Sequence, residues 1–160
     1  TEIYNAAKEP EIIDLAGFLN ACGARIYNAG SSTVVVEGVQ KLHGCTYSIM
    51  PDRIEAATFM AAALLTRGDV LLKDVRTSDL RSVIPAFEEL GCKMRHTDTE
   101  LHVVMNQRPK KLKSLVTMPH PGFPTDAQAA VMAVTAISDG TSVFVENIFE
   151  TNKSNNCNFP

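Results

Sequence analysis

The chain repeats itself, and the length of the repeat limits its possible folds more than any other feature. Glu11 to Val36 (E-I-I-D-L-A-G-F-L-N-A-C-G-A-R-I, then T-V-V-V) echoes Asp79 to Val104 (D-L-R-S-V-I-P-A-F-E-E-L-G-C-K-M, then L-H-V-V), with Gly23 falling on Gly91. Pro51 to Lys73 (P-D-R-I-E-A-A-T-F-M-A-A-A-L-L-T-R-G-D-V-L-L-K) likewise echoes Pro124 to Val145 (P-T-D-A-Q-A-A-V-M-A-V-T-A-I-S-D-G-T-S-V-F-V). The unit reads β-α-β-α-β-β over about 70 residues. A unit that long carries its own sheet and helices, so three or so would pack around a shared core instead of stacking as a thin solenoid. The 160 residues hold the end of one unit, one complete unit and the start of a third.

Punctuation by Pro and Gly sets the elements. Thr1 to Asn5 is strand material. The spacing of Ile12, Ile13, Leu15, Ala16, Phe18 and Leu19 predicts a helix over 10–23, with Pro10 suited to its first turn and Gly23 to its end. Strands are expected at Ala24 to Asn28, Thr33 to Glu37 and Thr46 to Met50. The pattern then restarts with a helix from Ile54 to Leu65 opened by Pro51-Asp52, and a strand from Val70 to Asp74. A helix from Ser78 to Leu90 follows, bent at Pro85, which lacks the N–H for one bond of the ladder. Strands at Lys93 to His96, Leu101 to Met105 and Ser114 to Met118 come next. Pro124-Thr125-Asp126 opens a third start, with a helix to about Ser138 and a strand from Thr141 to Glu146.

Composition excludes several functions. A net charge of −3 supplies no field for nucleic acid or an anionic membrane, and the Lys110-Lys111-Leu112-Lys113 cluster is short enough to be a solvated loop. The longest apolar run, Ala56 to Leu65, is far below the roughly 20 residues that span a bilayer. Together these predict a soluble cytoplasmic protein. Cys22, Cys45, Cys92 and Cys157 form no C-x-x-C pair, so neither a zinc site nor a disulfide framework is expected, and Cys22 and Cys92 read as small packing groups.

Four segments appear in one order: Asn5 to Ala24 (N-A-A-K-E-P-E-I-I-D-L-A-G-F-L-N-A-C-G-A), Val36 to Gly44 (V-E-G-V-Q-K-L-H-G), Pro51 to Phe59 (P-D-R-I-E-A-A-T-F) and Pro119 to Ala129 (P-H-P-G-F-P-T-D-A-Q-A). With them the chain, over residues 2–150, resembles the UDP-N-acetylglucosamine 1-carboxyvinyltransferases of the enolpyruvyl transferase family. That resemblance implies an α/β (α+β) fold, the inside-out α/β barrel of that type, in which two domains of three units each face one another across a cleft. Residues 1–50 would end the first domain and 51–150 would open the second, so the chain would reach both. The family's chain would run on from Phe149-Glu150 through an Arg-Phe-Met stretch. Here the Asn-rich residues 151–160 stand instead, which reads as a divergent, disordered tail left by truncation or a shifted frame.

The resemblance further implies a function: transfer of the enolpyruvyl group of phosphoenolpyruvate to the 3'-hydroxyl of UDP-N-acetylglucosamine, releasing phosphate, the first committed step of peptidoglycan synthesis. It implies neither a metal nor an organic cofactor. It places a reactive Cys loop and a Lys-Asn pair upstream and a phosphate-binding Arg downstream, so the chain alone is expected to be inactive. Two alternatives stay open: a non-catalytic fragment or relative that only binds a sugar nucleotide, and the sister enzyme acting on shikimate 3-phosphate.

Asp126 is the leading site residue. By sequence physics Thr125 or Asp126 caps the helix that follows, where a negative charge is favoured; by resemblance Asp126 meets the sugar hydroxyl and acts as its base. Arg53 reads either as an exposed helix-start residue pairing with Asp52 or Glu55, or as a cleft-facing guanidinium that holds anionic substrate. Ile148 and Phe149 are core residues on their own pattern and sugar-nucleotide contacts by resemblance. Glu9 and Glu11 flank Pro10, where capping accounts for them, and His120 reads as a loop residue. The helix face of Ile12, Leu15, Phe18 and Leu19, in an incomplete unit, is expected to be poorly packed or to meet another copy.

Overall fold

The structure, a computed structural model, describes residues 1–149. The tail expected at 151–160 lies outside the described residues. The chain divides into two compact units, the first comprising Thr1–Met50 with Pro119–Pro121 and the second Pro51–Met118 with the chain from Gly122 onward. Among the described residues no helix is long and apolar enough to cross a membrane.

In the first unit β1 (Glu2–Tyr4), α1 (Pro10–Ala21), β2 (Arg25–Tyr27) and β3 (Thr33–Glu37) follow in order. The sheet is antiparallel in the order β1-β3-β2, with Ile3 opposite Val34 and Ile26 opposite Val36. Pro10 occupies the first turn of α1, where its missing N–H costs nothing. Gly23, at φ 95°, turns the chain out of the helix in the left-handed region that a Cβ disfavours. The Asn20 side chain then ties helix to strand, donating to the Ile26 carbonyl and accepting from its N–H, both at 2.8 Å.

The expected strand at Thr46 to Met50 does not form. Asp14 takes up that segment instead: its Oδ1 accepts from the Tyr47 hydroxyl at 3.1 Å and from the Met50 N–H at 3.2 Å. The side chain of Ile49 points to solvent, 77% exposed. A backbone donor answered by a side chain has no need of a ladder.

In the second unit α2 (Arg53–Thr66) leads into β4 (Asp69–Lys73). Asp52 caps α2, its Oδ1 accepting from the N–H groups of Ile54 (2.7 Å) and Glu55 (3.1 Å). The long helix expected from Ser78 to Leu90 is two pieces, a 3-10 turn at Thr77–Leu80 and α3 at Ile84–Glu89. Pro85 sits in the first turn of α3, so it starts a helix where a bend was expected. Next come β5 (Lys93–His96) and β6 (Glu100–Val104), giving an antiparallel sheet in the order β4-β6-β5. This is the order of the first unit's sheet, which is the repeat made physical.

β7 (Ser114–Val116), α4 (Gln128–Thr135) and β8 (Val143–Val145) complete the unit, and β7 pairs with β8 in parallel, Leu115 opposite Phe144. The helix-then-strand order of α2 and β4 recurs in α4 and β8, although β4 pairs with β6 and β8 with β7. α2 packs on α4, and Ala56, Ala57, Met60 and Leu64 of the one are buried in the same apolar cluster as Val131 and Val134 of the other. The buried apolar cluster runs from Ala56 to Phe144 and lies wholly in this unit.

Candidate functional site

The parallel strands β7 and β8 end side by side, and the chain leaving each of them carries all the candidate residues but Arg53. In parallel α/β layers ligands gather beyond the carboxyl ends of the strands, because loops diverge there and backbone donors are free. After β7 come Thr117, the turn Pro119–Pro124 and a 3-10 turn at Thr125–Ala127. After β8 come Glu146 and then Asn147 to Phe149.

One carboxylate joins the two exits. Glu146 is 5% exposed, and its Oε1 accepts from the Thr117 hydroxyl at 2.7 Å and from the N–H groups of Ile148 (2.6 Å) and Phe149 (3.4 Å). Its Oε2 accepts from the Thr125 hydroxyl at 2.7 Å. Burial pushes this carboxyl upward, but the hydrogen bonds from Thr117, Thr125, Ile148 and Phe149 outweigh it and draw the pKa down to about 2. Thr117 is fully buried, and its oxygen also accepts from the Asn147 N–H at 3.0 Å.

Thr125, Ile148 and Phe149 are thus gathered by Glu146, with Asp126 one residue along from Thr125. The capping role expected for Thr125 or Asp126 is corrected. Ala127, where α4 is capped, has no side-chain cap bond, and the 3-10 turn intervenes; the Thr125 hydroxyl is committed to Glu146. Asp126 is exposed. Phe149 is 53% exposed and Ile148 half-buried, so the core reading of these two does not hold. Arg53 stands on another element, the first residue of α2, and is 6% exposed, which removes the solvated helix-start reading. Glu9 is at the cap position of α1 but makes no cap bond, and its Oε2 is buried without a partner among the described residues, as is His120 Nδ1. No group of three metal-ligating side chains occurs among the described residues.

From sequence alone Glu146 reads only as the last residue of a strand. A usable signal was present: in Val143-Phe144-Val145-Glu146 the strand alternation puts Glu146 on the buried face with Phe144. A carboxylate there must be satisfied by several donors.

Solved enolpyruvyl transferases share this fold. The enolpyruvyl transferase NikO from Streptomyces tendae superposes with a TM-score of 0.74 at 20% identity, over 91% of this chain and 35% of that one. The EPSP synthase of Acinetobacter baumannii gives 0.54 at 23% identity, over 80% of this chain and 31% of that one. The model of the family described as EPSP synthase (3-phosphoshikimate 1-carboxyvinyltransferase) matches residues 1–154, and the chain belongs to that family. Relatives named UDP-N-acetylglucosamine 1-carboxyvinyltransferase are more similar in sequence. That of Psychrobacter arcticus is 47% identical over 94% of this chain and 35% of its own length. That of Finegoldia magna is 48% identical over 94% and 36%, and a form numbered 2 from Caldanaerobacter subterraneus subsp. tengcongensis is 46% identical over 94% and 36%. The chain therefore spans about a third of the length of the relatives it matches.

Proposed function

We propose that this chain belongs to an enzyme that transfers the enolpyruvyl group of phosphoenolpyruvate to the 3'-hydroxyl of UDP-N-acetylglucosamine, releasing phosphate for peptidoglycan synthesis. The observation that carries the reading is the 46 to 48% identity, over 94% of the chain, to relatives bearing that name. The gathering of Thr125, Ile148 and Phe149 beside exposed Asp126 supports it. On this reading the first unit ends one domain and the second opens the other, in a two-domain inside-out barrel whose cleft holds the substrates. The enzyme works in the cytoplasm, and its partners are its two small substrates, not nucleic acid or membrane.

Phosphoenolpyruvate is protonated at its methylene carbon, and the sugar hydroxyl attacks the cationic centre this creates as its proton passes to Asp126. Phosphate leaves the tetrahedral adduct as a proton returns from the methyl group, which restores the double bond. Positioning is the larger part of what Asp126 supplies, with general-base catalysis adding on the order of 10² to 10⁴ in rate. Ile148 and Phe149 flank the nucleotide sugar, and Arg53 organises the closed state around the anionic substrates.

The test is phosphate release from phosphoenolpyruvate with UDP-N-acetylglucosamine, run on the 160-residue chain, on the whole enzyme and on its Asp126→Asn variant. Loss of one group that stabilises the transition state costs about 10² to 10³ in rate, so the short chain, without the cations expected elsewhere, should be silent. Asp126→Asn should bind the sugar nucleotide with its rate collapsed. A near-normal rate in that variant, or preference for shikimate 3-phosphate as acceptor, would refute the reading.

A further inference from the structure

We infer that Glu146 is the positioning residue of the acceptor site, holding the Thr125–Asp126 turn and the Ile148–Phe149 backbone at one fixed spacing. The inference rests on the function proposed above, which gives those two segments the work of binding and deprotonating the sugar.

Geometry carries it. The groups meant to meet the acceptor leave from two different strands, and only a shared anchor keeps loops of that kind in register to within the fraction of an ångström that catalysis needs. Glu146 is such an anchor. One oxygen serves Thr125 on the β7 side, and the other serves Thr117, Ile148 and Phe149. An ionised carboxylate accepts about four hydrogen bonds and donates none, and here four donors converge on it, three on Oε1 and one on Oε2. An amide of the same shape presents NH2 on one side. The Thr125 hydroxyl can turn to accept from it, but the N–H groups of Ile148 and Phe149 cannot, so the two sides would no longer be held alike. Glu146 is buried among four protein donors, and so it acts on the reaction through the residues it holds. Thr117, fully buried, supports it at one remove and is out of reach of any ligand.

The experiment measures kcat and both KM values on the whole enzyme, with melting temperature alongside, for Glu146→Gln, Thr117→Val, Thr117→Ser and Asp126→Asn. Glu146→Gln should raise KM for UDP-N-acetylglucosamine and lower kcat, each on the order of tenfold, while KM for phosphoenolpyruvate stays within about twofold, because only the acceptor's loops are displaced. Thr117→Val should move the same two constants in the same direction by a smaller factor. Thr117→Ser, which keeps the hydroxyl, should restore them. If Glu146→Gln does not fold, the Thr117 pair decides alone. Variants that melt earlier yet keep wild-type constants per folded enzyme would overturn the inference and leave Glu146 a structural carboxylate. If the wild-type enzyme ignores UDP-N-acetylglucosamine, or Asp126→Asn keeps its rate, the functional reading itself fails and the inference with it. That pattern is distinct from a silent Glu146 beside a crippled Asp126→Asn.

Discussion

In the first unit β3 lies between β1 and β2, and in the second β6 lies between β4 and β5, each sheet antiparallel throughout. Gly23 and Gly91 leave their helices at φ 95° and 97°, nearly the same conformation. The packing differs. On β6 both Leu101 and Val103 are fully buried, whereas on β3 Val34 is buried and Val36 only half so. Across the helices Leu15 is 52% exposed, while Val83, its counterpart in the echo, is 1% exposed. A repeat transmits connectivity through its turns and its period. Burial depends on what each copy finds to pack against, and the second unit has α2 on its sheet with α4 packed against α2 in turn.

The largest effect that tests this contrast comes from truncating one side chain in each copy of the repeat. Phe87→Ala removes a fully buried ring and should cost the second unit about 3 to 5 kcal/mol. Leu15→Ala should stay within about 0.5 kcal/mol, as changes at exposed sites usually do. Urea unfolding of the two variants measures both. A large cost at Leu15 that grows with protein concentration would show that the exposed face of α1, with Ile13 and Phe18, is covered by a second copy.

Next comes pH. Glu146 titrates near 2 in the fold against an ordinary value of 4.5, so the folded state favours its ionised form. Its stabilisation is complete above the ordinary value and is lost as pH falls from about 4.5 through about 2, where the unfolded chain binds the extra proton. Acid unfolding followed through a probe in the second unit should therefore steepen in that window, and Glu146→Gln should flatten it. An unchanged acid limb in the Gln variant would place the sensitivity elsewhere.

What was legible follows from the same contrast. α1, α2, β3 and β5 were readable because Pro, Gly and apolar or β-branched period agree there. The segment at Thr46 to Met50 was not, because a side chain, that of Asp14, answers its Met50 N–H and Tyr47 hydroxyl, which a strand pattern does not reveal. The split at Pro85 turned on whether proline bends a helix or begins one, which local pattern does not decide. Among the candidate site residues, Thr125, Asp126, Ile148 and Phe149 come from resemblance, but Glu146, which gathers Thr125, Ile148 and Phe149, was hidden in a strand whose alternation alone pointed inward.

A smaller effect tests the turns. Gly23→Ala and Gly91→Ala each force a Cβ into the left-handed region and should each cost about 1 to 2 kcal/mol. Around Gly91 the new methyl would meet Gln107 Nε2 and the Lys110 side chain at 3.4 Å, and at Gly23 it would meet His43 Nε2 at 2.9 Å. The His43 ring is exposed and can turn aside, so thermal melts should show the two costs to be alike. A clearly larger loss at Gly23 would mean that His43 is held in place.

The smallest effect leaves the fold untouched and reads only the cysteines that border those glycines. Cys22 and Cys92 are equally buried, at 8% and 7% exposed, yet their partners differ. Cys92 donates to the Phe87 carbonyl at 3.0 Å, and burial pushes its pKa up to about 11. Cys22 lies 3.3 Å from Cys45, sulfur to sulfur, and that contact raises its pKa while Cys45 itself is exposed. The thiolate is the reactive form, so reagent access and ionisation together set the rate. With Cys157 replaced by serine, a maleimide under native, reducing conditions should modify Cys45 first. Cys22 should follow only as the Cys45 loop opens, and Cys92 should react only when the second unit unfolds. Peptide mass mapping over time gives the order directly. Early modification of Cys92 would show that the second unit opens as readily as the first, and the packing contrast between the two copies of the repeat would then be lost.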